Sequence, residues 1–288
     1  MRIDIESAGG RQIALDTDAR PYVLMAIDGL GGTDARMRTL TMPMKDGEIW
    51  LGSEMRARTI SISGAIVGDD LERGRLRSEL AAAVNVRSGI MRLTISGYGR
   101  KRQIEAAVES GPAFTEIEGT GIRYQEFTLS LYCPRPYFAD TQDTVKRFEA
   151  LEGGMRFPLR LPTGFARINV SDRYLCLNDG DASCGITAVF TSGAVNPQLI
   201  NTGTGEFIRI KREVPEGKRL EITTGTGSKT ARLIDNGTGE EADAMGYIDL
   251  RSTFFSLAPG ANYLSFDADG GKSKTEVTLR WRSLYAAF

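Results

Sequence analysis

Apolar and polar residues alternate with a period of two in segment after segment of this chain. That pattern restricts it to a fold built mainly from half-buried strands. Thr59, Ile60, Ile62 and Ile66 form one β-branched run, and Met91, Leu93 and Ile95 alternate with Ile90, Arg92 and Thr94 before Gly97-Tyr98-Gly99 turns the chain. Ile104, Ala106 and Val108 form the next strand, and Phe127, Leu129 and Leu131 another. Beyond Asp140 the same pattern marks residues 220–222, 231–233, 247–250, 263–268 and 277–281, between Gly-rich turns. Short strands at fairly even spacing point to β-sandwiches. Only one segment has helical spacing: Leu76, Leu80 and Val84 recur every four residues, with Asp69 or Asp70 as N-cap. Gly89 is expected to end that helix, with Arg87 in its last turn, and Gly74 inside it costs about 1 kcal/mol relative to alanine. The expected class is all-β with one helix.

The segment FTSGAVNPQLINTGTGEFIRI, residues 190–210, reads as one hairpin. Asn196-Pro197 marks a turn before its first strand, and Gly203 and Gly205 are expected to supply the positive φ angles of its reversal. A second Asn-Gly-Thr-Gly-Glu string, residues 236–240, reads as another hairpin turn rather than as a solenoid period. Pro134 and Pro136 end a strand, and residues 141–165 are charged, Gly- and Pro-containing and weakly patterned, which sets a boundary there. A length of 288 residues suits two domains, expected at 1–140 and 141–288.

The composition excludes several functions. Lysine and arginine (36) balance aspartate and glutamate (37), evenly between the halves, so no basic field draws nucleic acid or membrane. MRIDIESAGG carries charges where a signal peptide needs an apolar core. The longest apolar run, residues 80–84, falls far short of the roughly 20 residues of a membrane span. The expectation is a protein made and kept soluble in a cytoplasm. Cys133, Cys176 and Cys184 have no C-x-x-C spacing and read as buried thiols rather than as metal ligands or a disulfide. The absence of histidine removes Ser-His-Asp and Cys-His triads and H-E-x-x-H sites. Catalysis through carboxylates or lysine is left, but no catalytic residue, cofactor or metal site is expected.

Short motifs have plain readings. Residues 225–230, GTGSKT, lack the glycine before lysine and the following helix that a phosphate loop needs, so they read as a turn. Asp267, Asp269 and Gly270 begin like a calcium loop, but Gly271 stands at its fifth position. Asp69-Asp70 and Glu240-Glu241 read as solvated acids, and the glycosylation sequons at Asn169 and Asn236 carry no weight without secretion. Arg100-Lys101-Arg102 reads as a solvated hairpin tip or an interface patch. The segment TMPMKDGEIWLG is harder to settle. Met42, Met44, Ile49 and Trp50 surround a Lys-Asp-Gly turn, either as core or as an extended hairpin that docks on a neighbouring subunit.

Two sets of motifs carry a family resemblance. In the second half it is "SGA-x-NP-x-I-N-x-x-TGE-x-I-x-I", read from residues 190–210. In the first half DGEIWLGSEMRARTISISGAIVG is followed by a helix with LRSEL, then VRSGIMRLTISGYGRKRQIEAAVES, then FTLSLYCPRPYF. Their order, over residues of about 45 to 270, resembles the distal tail (Dit) proteins of siphophages. The resemblance implies an N-terminal β-sandwich or barrel of tail-tube type with a flanking helix, followed by a galectin-like β-sandwich. It implies a homo-hexameric ring, made by the first domain, at the distal end of a long non-contractile tail. The partners it implies are the tail tube protein, a tail-tip or tail-associated lysin protein and a receptor-binding protein, with no membrane and no sequence-specific nucleic acid, the genome passing through the ring channel. Galectin sugar sites generally use histidine and tryptophan; this chain has no histidine, and Trp281 reads as core. The alternatives are a carbohydrate-binding adhesin module and another tube-like tail protein.

Chelation with EDTA is therefore expected to leave the melting temperature unchanged. A lowered Tm, with stoichiometric zinc or calcium by elemental analysis before chelation, would overturn the expectation of no metal.

Overall fold

The computed structural model describes residues 1–115, 123–149 and 173–288. They fall into two units, Met1–Thr141 with Tyr285–Phe288, and Gln142–Leu284. The strands of the first unit are β1 (Arg2–Glu6), β2 (Gln12–Asp16), β3 (Tyr22–Asp28), β4 (Ala35–Thr41), β5 (Glu48–Met55), β6 (Arg58–Val67), β7 (Met91–Gly97), β8 (Arg100–Phe114), β9 (Tyr124–Cys133) and β10 (Phe138–Asp140). One helix, α1 (Asp70–Ala83), lies between β6 and β7. Hydrogen-bonded neighbours run β8-β7-β1-β2-β3-β6-β9, and β9 returns to β8. The 15-residue β8 closes this ring. Residues 100–106 pair with β7, and residues 107–114 pair with β9. Where β9 does not yet reach, β10 covers the edge at Arg102 and Gln103. The seven strands form a closed barrel, and closure removes free edges.

Period-two alternation fills the interior. Ile3, Ile5, Leu15, Ile60, Ile62, Leu93, Ile95, Phe127 and Leu131 are all buried. Three of these strands, β1 to β3, lie in residues 1–44, ahead of the regular strands that the sequence pattern marks. Their signal, R-I-D-I-E and Q-I-A-L-D, is five residues long in each case. Helix α1 packs Leu76, Leu80 and Ala83 on the barrel, and Tyr22 Oη donates to Leu76 O at 2.9 Å. Burial pushes the Tyr22 hydroxyl up to about 12. Asp69 caps the helix by accepting from Glu72 N, as expected. The helix ends at Val84 rather than at Gly89, because the Asn85 side chain accepts from Arg87 N and starts a separate 3-10 turn, Val86–Ser88. Gly89, at φ +74°, ends that turn instead.

The second unit holds β11 (Thr144–Glu149), β12 (Tyr174–Asn178), β13 (Ile186–Phe190), β14 (Gln198–Asn201), β15 (Phe207–Arg209), β16 (Lys218–Thr223), β17 (Thr230–Asp235), β18 (Glu241–Asp243), β19 (Gly260–Asp267) and β20 (Glu276–Trp281). A six-stranded sheet, β11-β20-β13-β16-β17-β18, and a four-stranded sheet, β12-β19-β14-β15, share one core. Phe148, Phe190, Ile222 and Leu279 come from the first, and Leu199, Ile208 and Leu264 from the second. Trp281 lies in this core, with Cys176 and Cys184. All three cysteines are buried and free, and burial pushes the thiols up, Cys133 to about 12 and the other two to about 11. The whole chain is thus mostly β with one α-helix among the described residues.

Three local expectations change. Residues 190–210 are not one hairpin, since β13 belongs to one sheet and the β14–β15 hairpin to the other; residues 191–197 cross between them. Within that hairpin turn only Gly205 has positive φ, because Asn201 Oδ1 accepts from Gly203 N (3.0 Å) and Thr204 N (3.4 Å) and shapes the reversal itself. Asp235 does the same for Gly237 and Thr238, so the two Gly-Thr-Gly-Glu strings are one turn made twice. Residues 247–250 form no strand; a 3-10 turn, Met245–Tyr247, leads into an isolated bridge between Ile248 and Ile210. The expected linker begins with β11, the edge of the six-stranded sheet, and the rest of it, with the sequon at Asn169, lies outside the described residues.

Asp249 holds the segment that runs beside β15. Its side chain is 2% exposed, with Lys211 Nζ at 3.2 Å and the Arg251 guanidinium at 3.3 Å. The Arg251 backbone N–H, then its guanidinium, then Lys211 hold this carboxyl well below the usual carboxylate range. A carboxyl whose folded pKa is depressed stabilises fully above its unfolded value, near pH 4, and loses that contribution as pH falls towards the folded value. Asp249→Asn should therefore be less stable than wild type in urea melts at about pH 7, and the gap should narrow at about pH 2.5. An equal gap at both values would show that ionisation of Asp249 does not hold this segment.

Candidate functional site

The site of interest is the hairpin inserted between β3 and β6, which themselves pair in the barrel wall. β4 and β5 pair only with each other among the described strands, as a two-stranded sheet apart from that of the barrel. Their register runs from Ala35 opposite Met55 to Thr41 opposite Glu48, with Leu51 as the extra residue of a bulge between Arg38 and Thr39. At the tip Met44 adopts φ +59° and Gly47 φ +86°. Every residue of β4 is exposed. So are Met44, Ile49, Leu51 and Trp50, the last at 65%, while Met42 is half-buried. Reading Met42, Met44 and Trp50 as core is therefore corrected. Among the described residues the hairpin pairs with no other strand, and most of its side chains are exposed.

Cross-strand pairing places side chains on two faces. Met37, Thr39 and Trp50 share one; Arg38, Leu40, Ile49 and Glu54 share the other, with an ion pair between Arg38 and Glu54. A two-stranded hairpin is marginally stable alone in water, and its unpaired edges invite further strands. Such an arm can add its edges to another sheet and bury its apolar groups. Of its carboxylates, Glu54 is paired with Arg38 and Glu48 accepts from Thr41 Oγ1 at 3.4 Å.

Its root is built differently. Arg58, three residues beyond β5, is 3% exposed. Its Nη1 donates to Gly29 O at 3.0 Å and Gly31 O at 2.9 Å, on the loop that leads from β3 to β4, and its guanidinium lies 4.6 Å from the centroid of Phe138. Burial lowers its pKa from the ordinary arginine value. Gly29 sits at φ +86°, where a Cβ would fall 2.1 Å from Thr59 O, so no other residue fits that approach. Arg56 N donates to Asp34 O at 2.9 Å and closes the root. Sequence reading missed Arg58. One arginine at a strand start carries no pattern, and its partners are backbone carbonyls of residues distant in the chain.

The remaining candidates are ordinary surface. Asp269 is engaged by Arg209 at 2.5 Å and by Asn196 at 2.8 Å, and Asp267 pairs with Lys272, so the calcium-like string faces cations. Residues 225–228 form a turn that leads into β17, with no helix following. Among the described residues no group of three or more acidic or cysteine side chains is placed to hold a metal. The outward face of the six-stranded sheet carries Thr187, Val189, Glu221, Thr223, Arg232, Thr278 and Arg280, and no aromatic platform among the described residues. Among the described residues no helix is long and apolar enough to cross a membrane.

Comparison with known proteins agrees with this architecture. Residues 13–133 match the family described as phage tail protein RIFT-related domain, and residues 179–285 match the siphovirus-type tail component, C-terminal domain. No curated protein sequence matches significantly. The chain is similar in structure to the Dit protein (gp 19.1) of phage SPP1, described as a paradigm of the hub adsorption apparatus in phages infecting Gram-positive bacteria. Identity is 16%, coverage 98% of each chain and TM-score 0.69. It is also similar to a chain of the phage p2 baseplate in its activated conformation, with strontium and with calcium. Identity is 11% in both, over 97% of this chain and 98% of the other, at TM-scores of 0.56 and 0.54. With matches to both tail domains in their order along the chain and one fold from end to end, the chain belongs to the distal tail (Dit) family of siphophage tail and baseplate proteins.

Proposed function

We propose that this protein is the structural hub at the distal end of a long non-contractile phage tail, where six copies form a ring that joins the tail tube to the tail tip. The single observation that carries the reading is the β4–β5 arm. A closed barrel extends one hairpin that, among the described residues, pairs with no other strand and exposes Met37, Leu40, Met44, Ile49, Trp50 and Leu51. In a ring each copy offers the same arm to the next, a head-to-tail contact that closes when the rotation is right. Trp50, Met42 and Met44 are the anchors of that contact, and Met37 and Leu40 widen it. The near-zero net charge lets copies approach without repulsion. The tail tube protein above, a tail-tip or tail-associated lysin protein below, and a receptor-binding protein complete the assembly. The work is done by contacts spread over large surfaces, which requires no catalytic group.

Electron microscopy of the purified chain is expected to show sixfold rings; monomers that bind a glycan array would favour the adhesin reading instead. Trp50→Ala should weaken association by about 2 kcal/mol, about thirty-fold in Kd, without changing the melting temperature of the monomer. Unweakened association, or an equal loss of monomer stability, would remove Trp50 from the contact.

A further inference from the structure

Three consecutive carbonyls at the base of the arm are all occupied. Arg58 Nη1 takes Gly29 O and Gly31 O, and the N–H of Phe288 takes Leu30 O at 2.9 Å. The same guanidinium reaches Ala286 O through Nη2 at 2.5 Å. Residues from opposite ends of the chain thus meet around one side chain. The strap Tyr285–Phe288 has its own holds on the barrel. Arg102 donates to Ala287 O at 2.5 Å and lies 3.4 Å from the centroid of the Tyr285 ring, Tyr285 Oη donates to Asp140 at 3.2 Å, and Phe288 meets Phe138 edge-on. Phe138 is also the ring beneath Arg58.

We infer that the strap Tyr285–Phe288 braces the root of the β4–β5 arm through Arg58, so that the arm's posture depends on residues that follow the second unit in sequence. The physical grounds are the following. Among the described residues the arm pairs with no other strand and is mostly exposed, so its contacts at the root set its direction. A guanidinium has five donors in a rigid fork, and this one is buried with no carboxylate paired to it among the described residues, so three carbonyls and the Phe138 ring stabilise it. Withdrawing the strap removes the acceptor at Nη2 and the N–H that holds Leu30 O, and opens Arg58 to water. Arg58 then loses the geometry that clamps Gly29 and Gly31. Arg58 is a positioning residue in this arrangement, and it touches no partner itself. The consequence for assembly rests on the reading that the arm is the subunit contact, whereas the brace itself does not.

The test uses the full chain carrying Phe288→Ala with Arg102→Gln, which frees the strap and leaves Arg58 in place. Hydrogen–deuterium exchange is measured at a dilution where the chain is monomeric. Amides of residues 29–31 and of β4 and β5 are expected to exchange about ten-fold faster than in wild type, while those of β1, β6 and β7 keep their rates. Arg58→Lys, which keeps the charge and loses the fork, should loosen the same amides. Unchanged arm amides in the doubly substituted chain would overturn the brace. So would equal acceleration throughout the barrel, which would make the strap part of the general core. Loosened arm amides with unaltered self-association would support the brace and remove the arm as the contact.

Discussion

Closure of the barrel by one long strand is the constraint on which the first unit depends. β8 has fifteen residues, enough to pair with β7 along its first half and with β9 along its second. Shorten it, and β9 becomes an open edge beside β6, with Leu129 and Leu131 partly uncovered. Closure satisfies the backbone of seven strands without a second sheet. It also means that assembly cannot proceed by adding strands to the barrel. Strand addition is left to segments outside the barrel wall, among them the β4–β5 hairpin and the edge strands β11, β18, β12 and β15 of the second unit.

An exposed apolar hairpin is a liability in a chain that must stay dispersed before it assembles. The arm carries features that limit indiscriminate pairing. Arg36, Arg38, Glu48 and Glu54 interleave with its apolar residues, and the bulge at Leu51 twists one edge. A flat, uncharged hairpin of this length would pair with any exposed strand, whereas these devices favour a partner whose surface matches the bulge and the charges.

Legibility in the sequence followed the range of the interactions. Wherever alternation was longer than about five residues and its buried face was unmixed, as in β6, β7 and β9, the strand was readable from local pattern alone. The cap at Asp69 was readable because its bond spans three residues. The end of α1 was not, since Asn85 competed with Gly89 for the stop and side-chain geometry decided between them. β1 and β2 were passed over because five residues with two apolar positions give a weak signal. Met42, Met44 and Trp50 were open between core and contact, because composition reports that an apolar residue will be covered but not by which molecule. Arg58 and the strap were invisible, since a guanidinium bound to carbonyls 27, 29 and 228 residues away leaves no periodicity to read.

The second unit shows how function and stability separate in such a chain. Its two sheets bury one core, and its repeated turn uses Asn201 in one place and Asp235 in the other for the same two N–H groups. Asp235 is held below the ordinary carboxylate range chiefly by those turn hydrogen bonds, so its charge serves local structure. Asp249 is employed in the same way against Lys211 and Arg251, and Asp269 against Arg209. These acids are committed to neighbours within the unit, and the sheet face that could offer a sugar platform alternates threonine with charge. Polar chemistry here stabilises turns and crossings between sheets, whereas the arm gathers exposed apolar residues, Met37, Leu40, Met44, Ile49, Trp50 and Leu51, on one hairpin. Exposed apolar groups gathered on a hairpin with unpaired edges suit burial against another protein surface.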